Sequence, residues 1–214
     1  MKTTLIFVRH GQSEGNKVNR FNGHINLKLT DLGKKQAECT AEYLDRFQID
    51  AIYTSDLSRD LETGLATANR RNMEIISRTE LREIYGGDFE GKVFDTLEDL
   101  YPQEFKTWMT DMGNCRCPNG ESIRELFDRV NKEVLRIANA HQGQTVLITT
   151  HATPIRVMST LWMKKDITEI KSIDWVKNAS VTVVDYSDIN EPKIILYDEH
   201  AHLEDFATGL PKDV

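Results

Sequence analysis

Two short apolar runs, Leu5-Ile6-Phe7-Val8 and Val146-Leu147-Ile148, most constrain the fold of this chain. Each is continuous, rich in β-branched and large apolar residues, and bounded by polar residues. Each therefore predicts a strand buried on both faces of a sheet. Helical patterns separate the predicted strands. Residues 30–47 predict a helix with Ala37, Ala41, Leu44 and Phe47 on one face. A second strand is expected from Asp50 to Thr54. Ser55-Asp56 then offers N-cap residues for a helix carrying Leu61, Leu65 and Ala68 inward. Glu74 to Arg78 predicts a third strand. Ser122-x-x-Glu125 is a capping box opening an amphipathic helix that faces Ile123, Leu126, Phe127, Val130, Val134, Ile137 and Ala138 inward and ends by Gly143. A helix after Pro154 and a strand pair around Asp188-Ile189-Asn190 complete the pattern. Strands alternating with helices predict an α/β fold: three layers, α/β/α, with a mostly parallel central sheet.

Composition narrows the partners. The 214 residues hold 27 Lys+Arg and 34 Asp+Glu, a net charge of −7, without a basic tract. Such a chain is unsuited to gripping a nucleic-acid backbone or an anionic membrane surface. No run approaches the ~20 apolar residues of a membrane helix. Three cysteines, Cys39, Cys115 and Cys117, and the lack of a leader sequence give a cytoplasmic location as the expectation. Cys115-x-Cys117 is too tight for a zinc knuckle, so no metal is expected.

Ligands of parallel sheets sit at the carboxyl ends of the strands. The first strand delivers Arg9-His10-Gly11 there, the second Ser55 and then Arg59, and the strand at 146–149 delivers His151. If these strands are neighbours, two arginines and two histidines share a crevice. Two guanidiniums suit a dianionic phosphate, since each offers parallel donors. A neutral imidazole is a competent nucleophile toward phosphorus. A second histidine, kept protonated by the phosphate, stabilises charge on the transferring group. A carboxylic acid is needed to protonate the leaving alkoxide. Glu83, Asp88 and Glu90, in a glycine-bearing loop, are the candidates. Taken singly, each histidine or arginine reads as an ordinary structural or surface residue; the joint placement carries the reading.

Six segments in order also resemble the histidine phosphatase superfamily, the phosphoglycerate mutase-like proteins. They are LIFVRHGQSEGN (5–16), FNGHINLKLTDLGKKQA (21–37), SDLSRDLET (55–63), LREIYGGDFEG (81–91), PNGES (118–122) and TVLITTHATPIR (145–156). The resemblance implies one family domain over residues 1–214 with a small helical lid at about 92–117. It implies His10 as the phosphorylated nucleophile, Arg9, Arg59 and His151 as the phosphate pocket, and Glu83 as proton donor. Asn16 would contact the phosphoryl group, with Gln12, Ser13 and the Gly23 backbone nearby. Neither metal nor nucleotide cofactor is implied.

The sequence departs from the family pattern at three places. Ala152 replaces the glycine after the second histidine, and Asn26 and Lys28 replace an acidic residue and a proline. Asp60 stands where alanine is typical, either beside Arg59 or facing solvent. The segment between the Glu83 and Gly120-Glu121-Ser122 motifs is short and lacks the arginine-rich stretch of the mutases. The leading expectation is a metal-independent phosphomonoester hydrolase acting on a small phosphorylated metabolite, as a monomer or homodimer. The alternatives are a cofactor-dependent phosphoglycerate mutase and a non-catalytic phosphometabolite-binding protein.

Overall fold

The computed structural model describes residues 2–210. In chain order the elements are β1 (Thr4–Arg9), α1 (Glu14–Lys17), α2 (Asp31–Tyr43), β2 (Ala51–Ser55), α3 (Ser58–Arg71), β3 (Ile75–Arg78), α4 (Leu97–Leu100), α5 (Pro102–Thr110), α6 (Ile123–Ala140), β4 (Thr145–Thr150), α7 (Ala152–Trp162), β5 (Val181–Asp185) and β6 (Lys193–Glu199). The six strands form one sheet in the order β3-β2-β4-β1-β5-β6. β1 to β4 run parallel, and β5 and β6 join antiparallel at one edge.

The continuous apolar runs are explained by burial on both faces. Leu5, Phe7, Val146 and Ile148 pack with Val130, Val134 and Ile137 of α6 and Ile155 and Met158 of α7. Ile6, Val8 and Leu147 face the other way, onto Leu44 and Ala68. Alternate residues of one strand thus feed two cores, because successive side chains point to opposite faces of a pleated strand. The Ser122–Glu125 capping box forms as expected, and α6 follows it.

The helix α3 corrects two expectations. Its N-cap is Leu57, with no side-chain cap. Ser55 and Asp56 are engaged elsewhere: the Ser55 hydroxyl meets His151, and Asp56 accepts both a 2.6 Å bond from Arg82 Nε and a second from its Nη2. Of the expected apolar inward face only Ala68 is buried. Leu65 is 43% exposed, whereas Arg59, Asp60, Thr63 and Thr67 are buried. Helix α7 starts at Ala152, so Pro154 lies in its first turn, where a missing N–H costs no helical bond. The segment 92–117 packs into the core through Phe94, Leu97, Trp108 and Met112.

Candidate active site

Register brings the basic groups together. Arg9 of β1 pairs with Thr150 of β4, and Thr54 of β2 with Thr149. Three adjacent strands therefore end level with one another. His10, one residue beyond β1, donates its backbone N–H to the Thr150 carbonyl at 2.9 Å. His151, one residue beyond β4, sets its ring edge-on to His10, with centroids 5.2 Å apart.

Arg9, His10, Asn16, Gly23, Arg59, Glu83 and Ala152 line one cleft, with about 580 Å³ of empty space that includes open solvent. His10 Nδ1 lies 2.7 Å from the Gly11 carbonyl, which can only accept, so Nδ1 carries the proton and Nε2 keeps its lone pair. Burial, reinforced by Arg59 and Arg9, holds the His10 pKa well below the ordinary histidine value. The ring is therefore a neutral base with Nε2 unprotonated.

The arginines are fixed by carbonyls. Arg9 donates to the Val176 carbonyl at 2.6 Å, and burial lowers its pKa to about 10. Arg59 donates to Ile25 and Gly23, each at 2.9 Å. Both guanidiniums remain charged at neutral pH, with further N–H groups to offer a phosphate. Gly23 has φ +48°, and a Cβ there would meet Glu90 Oε1 at 2.1 Å, so the position takes only glycine without rearrangement. Asn16 spends its amide oxygen on Ser13 N and Oγ, both at 3.0 Å, leaving its Nδ2 end for a ligand.

Glu83 is aimed by backbone groups. Ile84 N–H donates to Oε1 at 2.8 Å and Thr153 N–H to Oε2 at 3.3 Å. Its own carbonyl accepts from Arg129 Nη2 at 3.2 Å and His24 Nε2 at 2.9 Å. Asp88 and Glu90, the other candidate acids, do not line the cavity. Glu90 instead accepts from the N–H groups of His24 and Gly86.

Gln12 and Ser13 also stay out of the cavity lining. Gln12 accepts from Thr30 Oγ1, and Ser13 caps α1. They shape the loop that carries Asn16. Ala152 occupies the first turn of α7, where its methyl is tolerated without a left-handed backbone. Asp60 does not face solvent. It is fully buried, 3.0 Å from His151 Nε2 and 3.9 Å from Arg59 Nε. Burial and Arg59 hold the His151 pKa well below its ordinary value, so the ring is neutral before an anion arrives.

Residue patterns had not singled out Asn178, which donates to the His10 carbonyl at 3.1 Å, nor the cavity walls Arg20, Phe21 and Trp175. No periodic signal marks residues that reach a site from loops. Among the described residues no group of three His, Cys, Asp or Glu side chains is placed to hold a metal ion, and no helix is long and apolar enough to cross a membrane.

The chain has counterparts among known proteins. The family model of the histidine phosphatase superfamily (branch 1) matches residues 5–198. Phosphoserine phosphatase 1 of Hydrogenobacter thermophilus is 33% identical over 84% of this chain and 85% of its own length. Phosphoglycerate mutase-like protein 4 of Arabidopsis thaliana is 29% identical over 94% and 87%. The solved structure of Bacillus stearothermophilus YhfR superposes with a TM-score of 0.90 at 28% identity, covering 94% of this chain and all of its own. Arg9, His10, Arg59 and Glu83 line one strand-end cavity, His151 lies buried behind the His10 ring, and with the family model spanning residues 5–198 the chain belongs to the histidine phosphatase superfamily.

Proposed function

We propose that this protein hydrolyses small phosphomonoesters by way of a phosphohistidine on His10. The observation carrying the reading is the state of the His10 ring: Nδ1 bonded to the Gly11 carbonyl, Nε2 free, and the ring neutral between two fixed arginines. In-line attack by Nε2 on phosphorus forms the N–P bond as the ester oxygen departs. Arg9, Arg59 and the Asn16 amide neutralise the equatorial oxygens, where charge gathers in a loose transition state. Glu83 gives its proton to the leaving alkoxide, then takes one from the water that cleaves the N–P bond, returning both groups to their starting states. The 92–117 segment acts as a lid, with Phe94 and Trp108 lining the cavity.

Arg20 at the cavity wall has no ion pair among the described residues and offers a partner to a second anionic group. Phosphoserine, named for the Hydrogenobacter relative, carries a carboxylate beside its phosphate and stands first in the substrate panel. The mutase-like relative motivates a second reading, isomerisation of phosphoglycerate. A panel measuring phosphate release and phosphoglycerate isomerisation side by side separates the two. Release without isomerisation is the expected result, and primer-dependent isomerisation as the dominant activity would replace the hydrolase reading. His10→Ala is expected to lose about three orders of magnitude in kcat/KM. Glu83→Gln should lose most with poor leaving groups, and an equal loss for all esters would remove its acid role. Chelators should leave the rate unchanged.

A further inference from the structure

The segment Pro118-Asn119-Gly120-Glu121-Ser122 has no part in the scheme above, and none of its residues lines the cleft. Its structural partner is the loop that carries Glu83. Glu121 N–H donates to the Tyr85 carbonyl at 2.8 Å, and Tyr85 N–H donates to Glu121 Oε2 at 3.2 Å. Asp88 N–H donates to the Pro118 carbonyl at 2.8 Å. The same segment opens α6, with Ser122 as its N-cap. Arg129 stands about two turns along that helix. Helical side chains lean toward the N-terminus, so its guanidinium comes back over Glu121. The two meet in a fork, Nε to Oε1 at 2.9 Å and Nη2 to Oε2 at 2.8 Å.

The rest of the Arg129 guanidinium is spent on the backbone that delivers Glu83. Nη1 donates to the carbonyls of Glu80 at 2.8 Å and Arg82 at 3.1 Å, and Nη2 donates to that of Glu83 at 3.2 Å. All five of its N–H donors are thereby engaged. Thr150 Oγ1 holds the remaining carbonyl of the turn, that of Leu81, at 2.7 Å. The Glu83 carbonyl accepts a further bond from His24 Nε2 at 2.9 Å. That carbonyl and the N–H of Ile84 are opposite ends of one planar peptide group. The same N–H donates to Glu83 Oε1 at 2.8 Å. Fixing the oxygen end of the peptide therefore fixes the direction from which its N–H meets the carboxyl. A cation on the oxygen end also polarises the amide and strengthens the N–H as a donor. Arg129 does not line the cleft, so it acts on the site only through this backbone.

We infer that Arg129, held by Glu121, is a positioning residue for Glu83: it orients the Glu83–Ile84 peptide so that the carboxyl stays aimed at the leaving oxygen. The inference rests on the hydrolase reading, in which Glu83 protonates the departing alkoxide. Arg129 exchanges no proton and forms no bond in the reaction. Its effect must therefore scale with the need for an acid. An alkyl phosphomonoester leaves as a basic alkoxide and needs the proton. A nitrophenyl ester leaves as a stable phenolate and does not. The quantity that isolates this difference is kcat/KM, which covers the steps up to formation of the N–P bond and excludes the later attack by water.

The test compares wild type, Arg129→Ala, Arg129→Lys and Glu121→Gln on an alkyl and a nitrophenyl phosphomonoester, each variant alone and combined with Glu83→Gln. Thermal melting checks that every protein is folded at the assay temperature. Arg129→Ala is expected to lose about 10-fold to 100-fold in kcat/KM on the alkyl ester and less than about 3-fold on the nitrophenyl ester. Arg129→Lys keeps the charge but not the fork and should restore only part of the loss. Glu121→Gln should show a smaller loss with the same dependence on the leaving group. In the Glu83→Gln background, Arg129→Ala should cost less than about 3-fold more on the alkyl ester, because the group it positions is already gone. Equal losses on both esters, or losses that multiply with those of Glu83→Gln, would overturn the proposal and leave the hydrolase reading standing. If Arg129→Ala does not fold, Arg129→Lys and Glu121→Gln decide by the same two criteria. If Glu83→Gln itself loses equally on both esters, the acid role of Glu83 fails and this inference falls with it.

Discussion

The surroundings of His10 choose its tautomer. The Gly11 carbonyl takes the Nδ1 proton, and Asn178 holds the His10 carbonyl at 3.1 Å from the opposite side. Asn178 is itself buried and also reaches Asn16 Oδ1 at 3.4 Å. Asn178→Ala removes one buried bond on the nucleophile's own backbone, worth about 1 kcal/mol when made. The expected result is a loss of about tenfold in kcat with KM changed less, read from steady-state kinetics. Arg9 and His10 were legible in the sequence because they directly follow a buried strand. Asp60 was not, because one acidic residue in a helix's first turn fits both a solvated site and a buried one.

At the scale of elements, α3 shows why periodicity misjudged the site. Leu61, Leu65 and Ala68 suggest an apolar inner face, yet only Ala68 of the three is buried, and the helix turns Arg59, Asp60, Thr63 and Thr67 inward. Thr63 Oγ1 accepts from Gly11 N–H at 3.1 Å and donates to the Arg59 carbonyl at 2.7 Å, coupling the helix to the loop that follows His10. A helix that builds a polar site cannot also bury an apolar stripe there. Helix α2 meets the same loop by close backbone approach. A Cβ on Gly33 would sit 2.1 Å from the Gln12 carbonyl oxygen. Helix propensity alone favours Gly33→Ala by about 1 kcal/mol. The contact with fixed backbone reverses that sign, so the variant should melt lower than wild type and lose activity through displacement of the loop. In α6, by contrast, local rules suffice. Ser122→Ala removes the reciprocal cap and should cost about 1 kcal/mol in urea unfolding, with kcat/KM unchanged.

For the whole molecule, burial of titratable groups sets the dependence of stability on pH. His10 and His151 have pKa values lowered by folding, so below the unfolded histidine value near 6.5 the unfolded state binds two more protons at these sites. Asp60 is raised, so the folded state holds one proton that the unfolded state releases above about pH 4. While Asp60 stays protonated, the net difference below ~6.5 is one proton, a loss of up to about 1.4 kcal/mol per pH unit on acidification. Wherever the Asp60 proton alone remains, stability declines with rising pH until that proton is released. Asp60→Asn should therefore steepen the acid slope and flatten the neutral one. Unfolding free energies measured between about pH 5 and 8 check both signs. The net charge of −7 is compatible with an anionic substrate because Arg9 and Arg59 are buried together at the strand ends, where low-dielectric walls focus their field.

The sequence by itself determined the sheet with its flanking helices and the residues that leave the strand ends. Those follow from local period and from the alternation of strand and helix, which are properties of neighbouring residues. Only the tertiary structure decided which way α3 faces, which acid reaches the cavity, and that Asp60 meets His151 in the buried interior. Those outcomes depend on strand order, on helix rotation and on contacts between residues 91 positions apart, such as Asp60 and His151. A side chain's exposure and protonation are set by what packs against it, and that is fixed only once all the layers are in place.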